Sequence, residues 1–319
     1  MREYRVCFIK GVIDTRSLRQ QFNYLITSNC KFGADKRAIK HGSHKPSTIV
    51  FSVKHAESLR ATVSNLCNFL KETHPEIKQV NQITSQHIEE WYNARIETWS
   101  KSTLEMHGSN IRKLELLAKK MFKTCTNDFS KAKYPDKVNR NPNRVRDIQM
   151  SEEDFRKLEK ILDSGRSKAK IAVQITYRTG LRINEVCHLK AERINLKKRV
   201  IEVREGAKGG RDRDVPIQPR DFEYFRELKN KVGKGYVCPV KPCSANLAIR
   251  KAMIKAGIAN KYLCTTTHSI RKLYAQNRYN ELRNNGYSQG MEAFDIVAKE
   301  LGHNGNRTDL FKTYIANRW

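Results

Sequence analysis

Thr179-Gly180-Leu181-Arg182-Ile183-Asn184-Glu185-Val186 stands where an apolar run at helical spacing (Ile171, Ala172, Val173, Ile175) meets a glycine. Glycine adopts the positive φ that ends a helix without steric cost, so the stretch reads as helix, corner, helix, with Arg182 opening the second helix. Backbone N–H groups point outward at such a start, and a guanidinium beside them makes a corner suited to an anion. Taken alone, Arg182 with Glu185 three residues on reads equally well as a surface ion pair. The residues further along the chain decide between the two.

Four more chemical types follow in a set order: Lys208 among glycines, His268 and Arg271 three apart, His303 directly after Leu301-Gly302, and Tyr314. In the segments TGLRINEV (179–186), GAKGGRDRDVPI (206–217), THSIRK (267–272), LGH (301–303) and KTYI (312–315), the chain resembles the catalytic domain of the tyrosine recombinases, the family of lambda integrase and Cre. The resemblance covers the second half strongly and the helical stretch before it by pattern only. It implies a mainly α fold with a small antiparallel sheet, built as a helical core-binding domain followed by a catalytic domain. It further implies a site-specific recombinase or integrase of a mobile element, which cuts and rejoins DNA through a 3′-phosphotyrosine.

The residue types suit that chemistry. Attack of a side-chain oxygen on phosphorus builds negative charge on two non-bridging oxygens, which fixed donors must meet. The planar fork of arginine binds phosphate in bidentate fashion and keeps its proton, so Arg182 and Arg271 fit as clamps where other enzymes use Mg²⁺. No metal, ATP or other cofactor is expected. A phenol has a pKa near ~10 and needs a base. His268 shares a helical face with Arg271 and is expected to take the proton of the nucleophile Tyr314. By the resemblance, His303 bonds a non-bridging oxygen, Lys208 on its glycine loop protonates the leaving 5′ oxygen, and Glu185 orients Arg182 or His268. Tyr314 follows His303 by eleven residues, about two more than the family's usual gap, with Asn304-Gly305-Asn306-Arg307 as the insertion. Tyr279 and Tyr287 precede His303 and are weaker candidates for the nucleophile.

The charge agrees. The formal net charge is +29 over 319 residues, shared between the halves, with 27 basic against 13 acidic residues over 1–146 and 35 against 20 over 147–319. An excess of this size calls for a polyanion, and an even division suits two domains closing around double-stranded DNA rather than a basic tail on a neutral enzyme. A membrane partner is not expected, since no apolar run approaches ~18 residues and no long basic amphipathic helix appears. Eight scattered cysteines and the lack of a signal peptide fit a reduced, cytoplasmic, nucleoid-associated protein of a bacterial-type cell. Cys238, Cys243, Cys264 and His268 lack the tight spacing of a zinc knuckle, and His268 has a better use.

Four segments are expected. Residues 1–46 read as a basic N-terminal arm or a flexible extension, 47–130 as a helical DNA-binding bundle, 131–150 as a basic linker, and 151–319 as the catalytic domain. The core of the bundle is expected in Leu59, Val63, Leu66, Cys67 and Leu70, then Ile88, Trp91, Tyr92 and Trp99, then Ile111, Leu114, Ala118 and Met121. Strands are expected at 194–196, 199–204 and 215–217, with Lys208 on the loop between the last two. Exchange between two duplexes needs four cleavages, so a homotetramer assembled on DNA is expected, with an accessory DNA-bending protein compatible with it. The short tail after Tyr314 either reaches a neighbour or leaves those contacts to residues 1–46. Two rivals stand beside this reading: a type IB topoisomerase working as a monomer, and a sequence-specific DNA-binding protein with vestigial catalysis.

Overall fold

Ser17, Ser52, Thr84 and Ser100 each stand before a helix and accept a hydrogen bond from a backbone N–H of its first turn. These caps fix the starts of α1 (Leu18–Ser28), α2 (Val53–Thr73), α3 (Ser85–Asn93) and α4 (Lys101–Met121). The computed structural model describes residues 16–34, 38–39, 47–122, 128–135, 148–207, 212–263, 265–287, 290–303 and 308–315. The chain divides into two units, Met1–Asn141 and Pro142–Trp319.

In the first unit the expected apolar stripes meet in one core, with Trp91 fully buried and Trp99 and Met121 at its edge. The Trp91 indole N–H donates to Asn65 Oδ1 at 2.9 Å, so its one polar atom is satisfied inside. α1 falls in the stretch read as an arm or extension, yet Phe22, Leu25 and Ile26 have no exposed surface and belong to this core. The unit's core therefore begins well before residue 47. The end of the expected bundle and the start of the expected linker both run along this unit. Phe129 is buried, Ser130 N–H donates to Glu115 Oε2 at 2.6 Å, and Lys133 N–H donates to Glu89 Oε1 at 2.8 Å. Tyr134 lies over Gly108, where an added Cβ would come 1.9 Å from its hydroxyl oxygen.

In the second unit Ser151 caps α5 (Glu152–Asp163), accepting from Asp154 N–H, and Phe155, Leu158 and Leu162 are buried as expected. α6 (Ala169–Thr179) and α7 (Ile183–Cys187) lead into a three-stranded antiparallel sheet, β1 (Ile194–Asn195), β2 (Val200–Val203) and β3 (Arg213–Pro216), in the order β1-β2-β3. Pairing of Ile201 with Val215 puts two apolar side chains together on the inner face, and the same register sets Val203 opposite Arg213. α8 (Phe222–Val232), α9 (Pro242–Lys255), α10 (Thr267–Asn284), α11 (Gly290–Glu300) and α12 (Thr308–Tyr314) complete the unit. α10 is its spine: Ile270 and Leu273 face the α5, α6 and α9 core, while Tyr274, Ala275 and Tyr279 face α11 and α12.

Gly180 makes the expected corner. It ends α6 with φ +63°, and a Cβ there would lie 2.4 Å from Tyr274 Cδ1 and 2.7 Å from Leu301 Cδ2. Gly180→Ala is therefore expected to destabilise the protein through left-handed strain of about 1–2 kcal/mol, with the clash in addition. The urea midpoint should fall accordingly. A midpoint equal to that of the parent protein would show that the corner relaxes freely.

Candidate active site

Arg271, in the first turns of α10, is 1% exposed. A guanidinium this deep needs acceptors, and two helix ends supply them. Its Nη1 donates to the carbonyl of Gly180, at the end of α6, and its Nη2 donates to Leu301 O at 2.5 Å, just beyond α11. Carbonyls at helix C-termini lack an intrahelical partner and carry partial negative charge, so a buried cation satisfies them. Arg271 Nε is also buried, and the guanidinium interacts with the Tyr314 side chain. Burial pushes the Arg271 pKa down to about 10, against the pull of neighbouring Tyr314, and the group stays charged at neutral pH.

Tyr314 ends α12 and is 5% exposed. Its hydroxyl lies 3.2 Å from His303 Nε2, and donates to it when that nitrogen carries no proton. The half-buried His268 meets the Tyr314 ring edge-on, with centroids 5.9 Å apart, and Arg271 Cζ is 5.8 Å from the same centroid. Two histidines and an arginine thus surround one phenol. The sequence reading gave the phenolic proton to His268; the hydrogen bond to the hydroxyl is made by His303. His303 is delivered by a turn in which Gly302, at φ +71°, donates to Lys299 O and His303 N–H donates to Ala298 O, a Schellman end to α11.

Arg182 is the residue before α7, one place earlier than its first turn. Its N–H donates to Glu185 Oε2 at 2.8 Å and its Nη1 to Glu185 Oε1 at 3.0 Å. Arg182 remains partly exposed, whereas the Glu185 side chain has no exposed surface. The ion pair that the sequence offered is therefore formed, on a buried carboxylate, and the charge of Arg182 reaches Arg271. Glu185 also accepts from Arg213 Nη1 at 3.0 Å and Nη2 at 2.8 Å. Burial raises the Glu185 pKa, but the bonds from Arg213 and the Arg182 N–H outweigh it and hold the carboxyl below its usual range.

Lys208 lies outside the described residues, in the connection between β2 and β3. Of the two other tyrosines, Tyr279 is buried against Phe311, and Tyr287 is exposed. Cys238 is buried, Cys243 exposed, and Cys264 lies outside the described residues. Arg213 was not singled out by the sequence reading, although it lies within the segment 206–217 quoted there. Asp214 does pair with Arg204, at 2.6 Å. Arg213 turns inward instead, and the alternation of a strand, with Val215 two residues on in the core, was the available signal.

The profile of the phage integrase family matches residues 149–316, more than half of the chain and all of the site just described. The chain belongs to the phage integrase family. Among relatives in this family, the tyrosine recombinase XerA of Pyrococcus furiosus is 32% identical over 162 residues, which make up 48% of this chain and 53% of that protein. The chain thus matches about half the length of this relative. A tyrosine recombinase of Pseudothermotoga lettingae is 24% identical over 220 residues, 66% of this chain and 72% of that one. In fold, the chain is similar to a lambda integrase tetramer bound to a Holliday junction, with a TM-score of 0.61 and 15% identity over 89% of this chain and 77% of that one. The Tn1549 transposon integrase in complex with a circular intermediate DNA gives 0.61 and 15%, over 95% and 96%. These two similarities speak for the fold. No helix among the described residues is long and apolar enough to cross a membrane.

Proposed function

We propose that this phage integrase family member is a site-specific DNA recombinase or integrase of a mobile genetic element, which breaks and rejoins duplex DNA with Tyr314 as nucleophile. The observation that carries the reading is the convergence of buried Arg271, His268 and His303 on the phenol of Tyr314. The histidines can take the phenolic proton, and the guanidinium can meet the charge of a phosphate entering beside the phenol. The net charge of +29 supplies the attraction that brings DNA there.

In this mechanism Tyr314 Oη attacks the phosphorus, the P–O5′ bond breaks, and a 3′-phosphotyrosine forms. The phenolic proton leaves through His303, already bonded to the hydroxyl, or through His268 at the ring edge. Arg271 and the outward face of Arg182 meet the charge that grows on the non-bridging oxygens, held in advance by Gly180 O, Leu301 O and Glu185. Lys208 protonates the departing 5′ oxygen. The phosphotyrosine keeps the energy of the broken bond, so rejoining consumes no ATP, and two arginines do the work of a metal. Four protomers assembled on paired sites carry out exchange.

The test is covalent trapping on a nicked duplex whose short strand diffuses away after cleavage. An adduct is expected in EDTA and without ATP, and mass measurement should give monomers in free solution and four protomers on paired sites. An adduct that requires Mg²⁺ or ATP rejects the metal-free chemistry. Relaxation of supercoils by an isolated monomer, with no recombinant product, favours the topoisomerase reading instead.

A further inference from the structure

We propose that Arg213 is a positioning residue for strand transfer: it shares the charge of Glu185 so that Arg182 keeps donors for phosphate, and it fixes the turn that carries His303. This rests on the recombinase reading above.

A carboxylate offers about four acceptor positions, and those of Glu185 are filled by four donors. Oε1 takes Arg182 Nη1 and Arg213 Nη1, both at 3.0 Å, and Oε2 takes the Arg182 N–H and Arg213 Nη2, both at 2.8 Å. A carboxylate with no exposed surface must be balanced by cations close to it. With Arg213 present, two arginines stand against one carboxylate, and the surplus positive charge falls on the partly exposed Arg182. Without Arg213 the pair would be one to one, and Arg182 would be drawn wholly onto Glu185. Its pull on phosphate would then be cancelled.

The third bond of Arg213 serves the other side of the site. Its Nε donates to Glu300 O at 2.9 Å, and Arg271 Nη2 holds the next carbonyl, Leu301 O. Two arginines thus take consecutive carbonyls at the end of α11, immediately before Gly302 and His303. Gly302 lies flat against this guanidinium: a Cβ at 302 would come 2.8 Å from Arg213 Nη1. One side chain on β3 therefore sets the charge of Arg182 and the placement of His303. Its side chain is 10% exposed, which suits it poorly to a direct role in holding the DNA backbone. Lysine keeps the charge but not the fork, and one ammonium cannot reach both carboxylate oxygens and Glu300 O together.

The experiment measures single-turnover cleavage of the nicked duplex and affinity for intact duplex, for Arg213→Ala and Arg213→Lys, each in the native and the Glu185→Gln background. Cleavage should fall about 10²-fold for both variants, as displacement of reacting groups by about an ångström would cause, with affinity nearly unchanged. Arg213→Lys shows whether charge alone suffices should Arg213→Ala fold poorly, and thermal unfolding reports on that. Glutamine needs no counter-charge, so in the Glu185→Gln background the further loss should be clearly smaller, a non-multiplicative pair. Loss by the same factor in both backgrounds, loss that tracks DNA affinity, or cleavage by Arg213→Lys at the parent rate would each overturn the proposal while leaving the recombinase reading intact. Absence of any adduct from the parent protein would remove that reading, and this proposal with it.

Discussion

Tyr314→Phe is expected to abolish the covalent protein–DNA adduct while leaving duplex affinity nearly unchanged. The substitution removes one oxygen and keeps the ring, which packs with Leu301 and Ile315 in the last core. The folding cost is that of the hydroxyl's contacts with His303 and Arg271, about 0.5–1.5 kcal/mol per hydrogen bond, too little to unfold the unit. Affinity should survive because the phosphate backbone is held by a chain of net charge +29, to which a phenol contributes nothing. Denaturing gels on the nicked duplex, beside a filter-binding titration, separate the two effects. An adduct of parental yield from Tyr314→Phe would move the nucleophile to another residue, with Tyr279 and Tyr287 the first to examine.

Arg271→Ala should lower cleavage by a factor of about 10²–10³, the usual consequence of losing one fixed donor to a developing oxyanion. It should also cost stability, which distinguishes it from Arg182→Ala. Arg271 is buried on the carbonyls of Gly180 and Leu301, and leaving buried acceptors unmet costs about 1–3 kcal/mol, whereas Arg182 is partly exposed. Arg271→Lys keeps a charge but cannot span two carbonyls and also present an N–H toward Tyr314, so rescue should be poor. Rates at saturating DNA, together with urea midpoints for the three variants, check this. Parental cleavage by Arg271→Lys would refute the bidentate argument.

Much of the site was legible because its chemistry is carried by rare residue types at short spacings. A histidine three before an arginine, and a glycine directly before a histidine, are local facts, and the structure brings His268, Arg271, His303 and Tyr314 to one place. The two histidines were harder to tell apart. Which nitrogen meets the hydroxyl depends on the turn at Gly302 and on the angle of α12, and neither is written in spacing. Arg213 was hidden by its setting: in an arginine-rich hairpin every guanidinium looks like a surface group, and only the pleat of β3 separates it from Arg204. α1 was overlooked for a different reason. Its basic surroundings suggested an arm, although Leu18, Phe22, Leu25 and Ile26 recur at helical spacing behind Ser17, which caps with Gln20. Net charge is a property of surfaces, and it drew attention away from a periodicity that marks an interior.

The contacts that hold Arg271 and Arg213 have a consequence for how the molecule comes into being. Arg271 reaches back 91 residues to Gly180, and Arg213 reaches forward 87 residues to Glu300. Each closes a long loop, and contacts so distant along the chain form late, after the helices and the hairpin that carry them. A chain still emerging from synthesis can assemble α6, α7 and the sheet and yet has no completed clamp, since Glu300 O and Leu301 O, which complete the hold on both arginines, arrive only with the end of α11. The site therefore takes its final form only when the last helices dock.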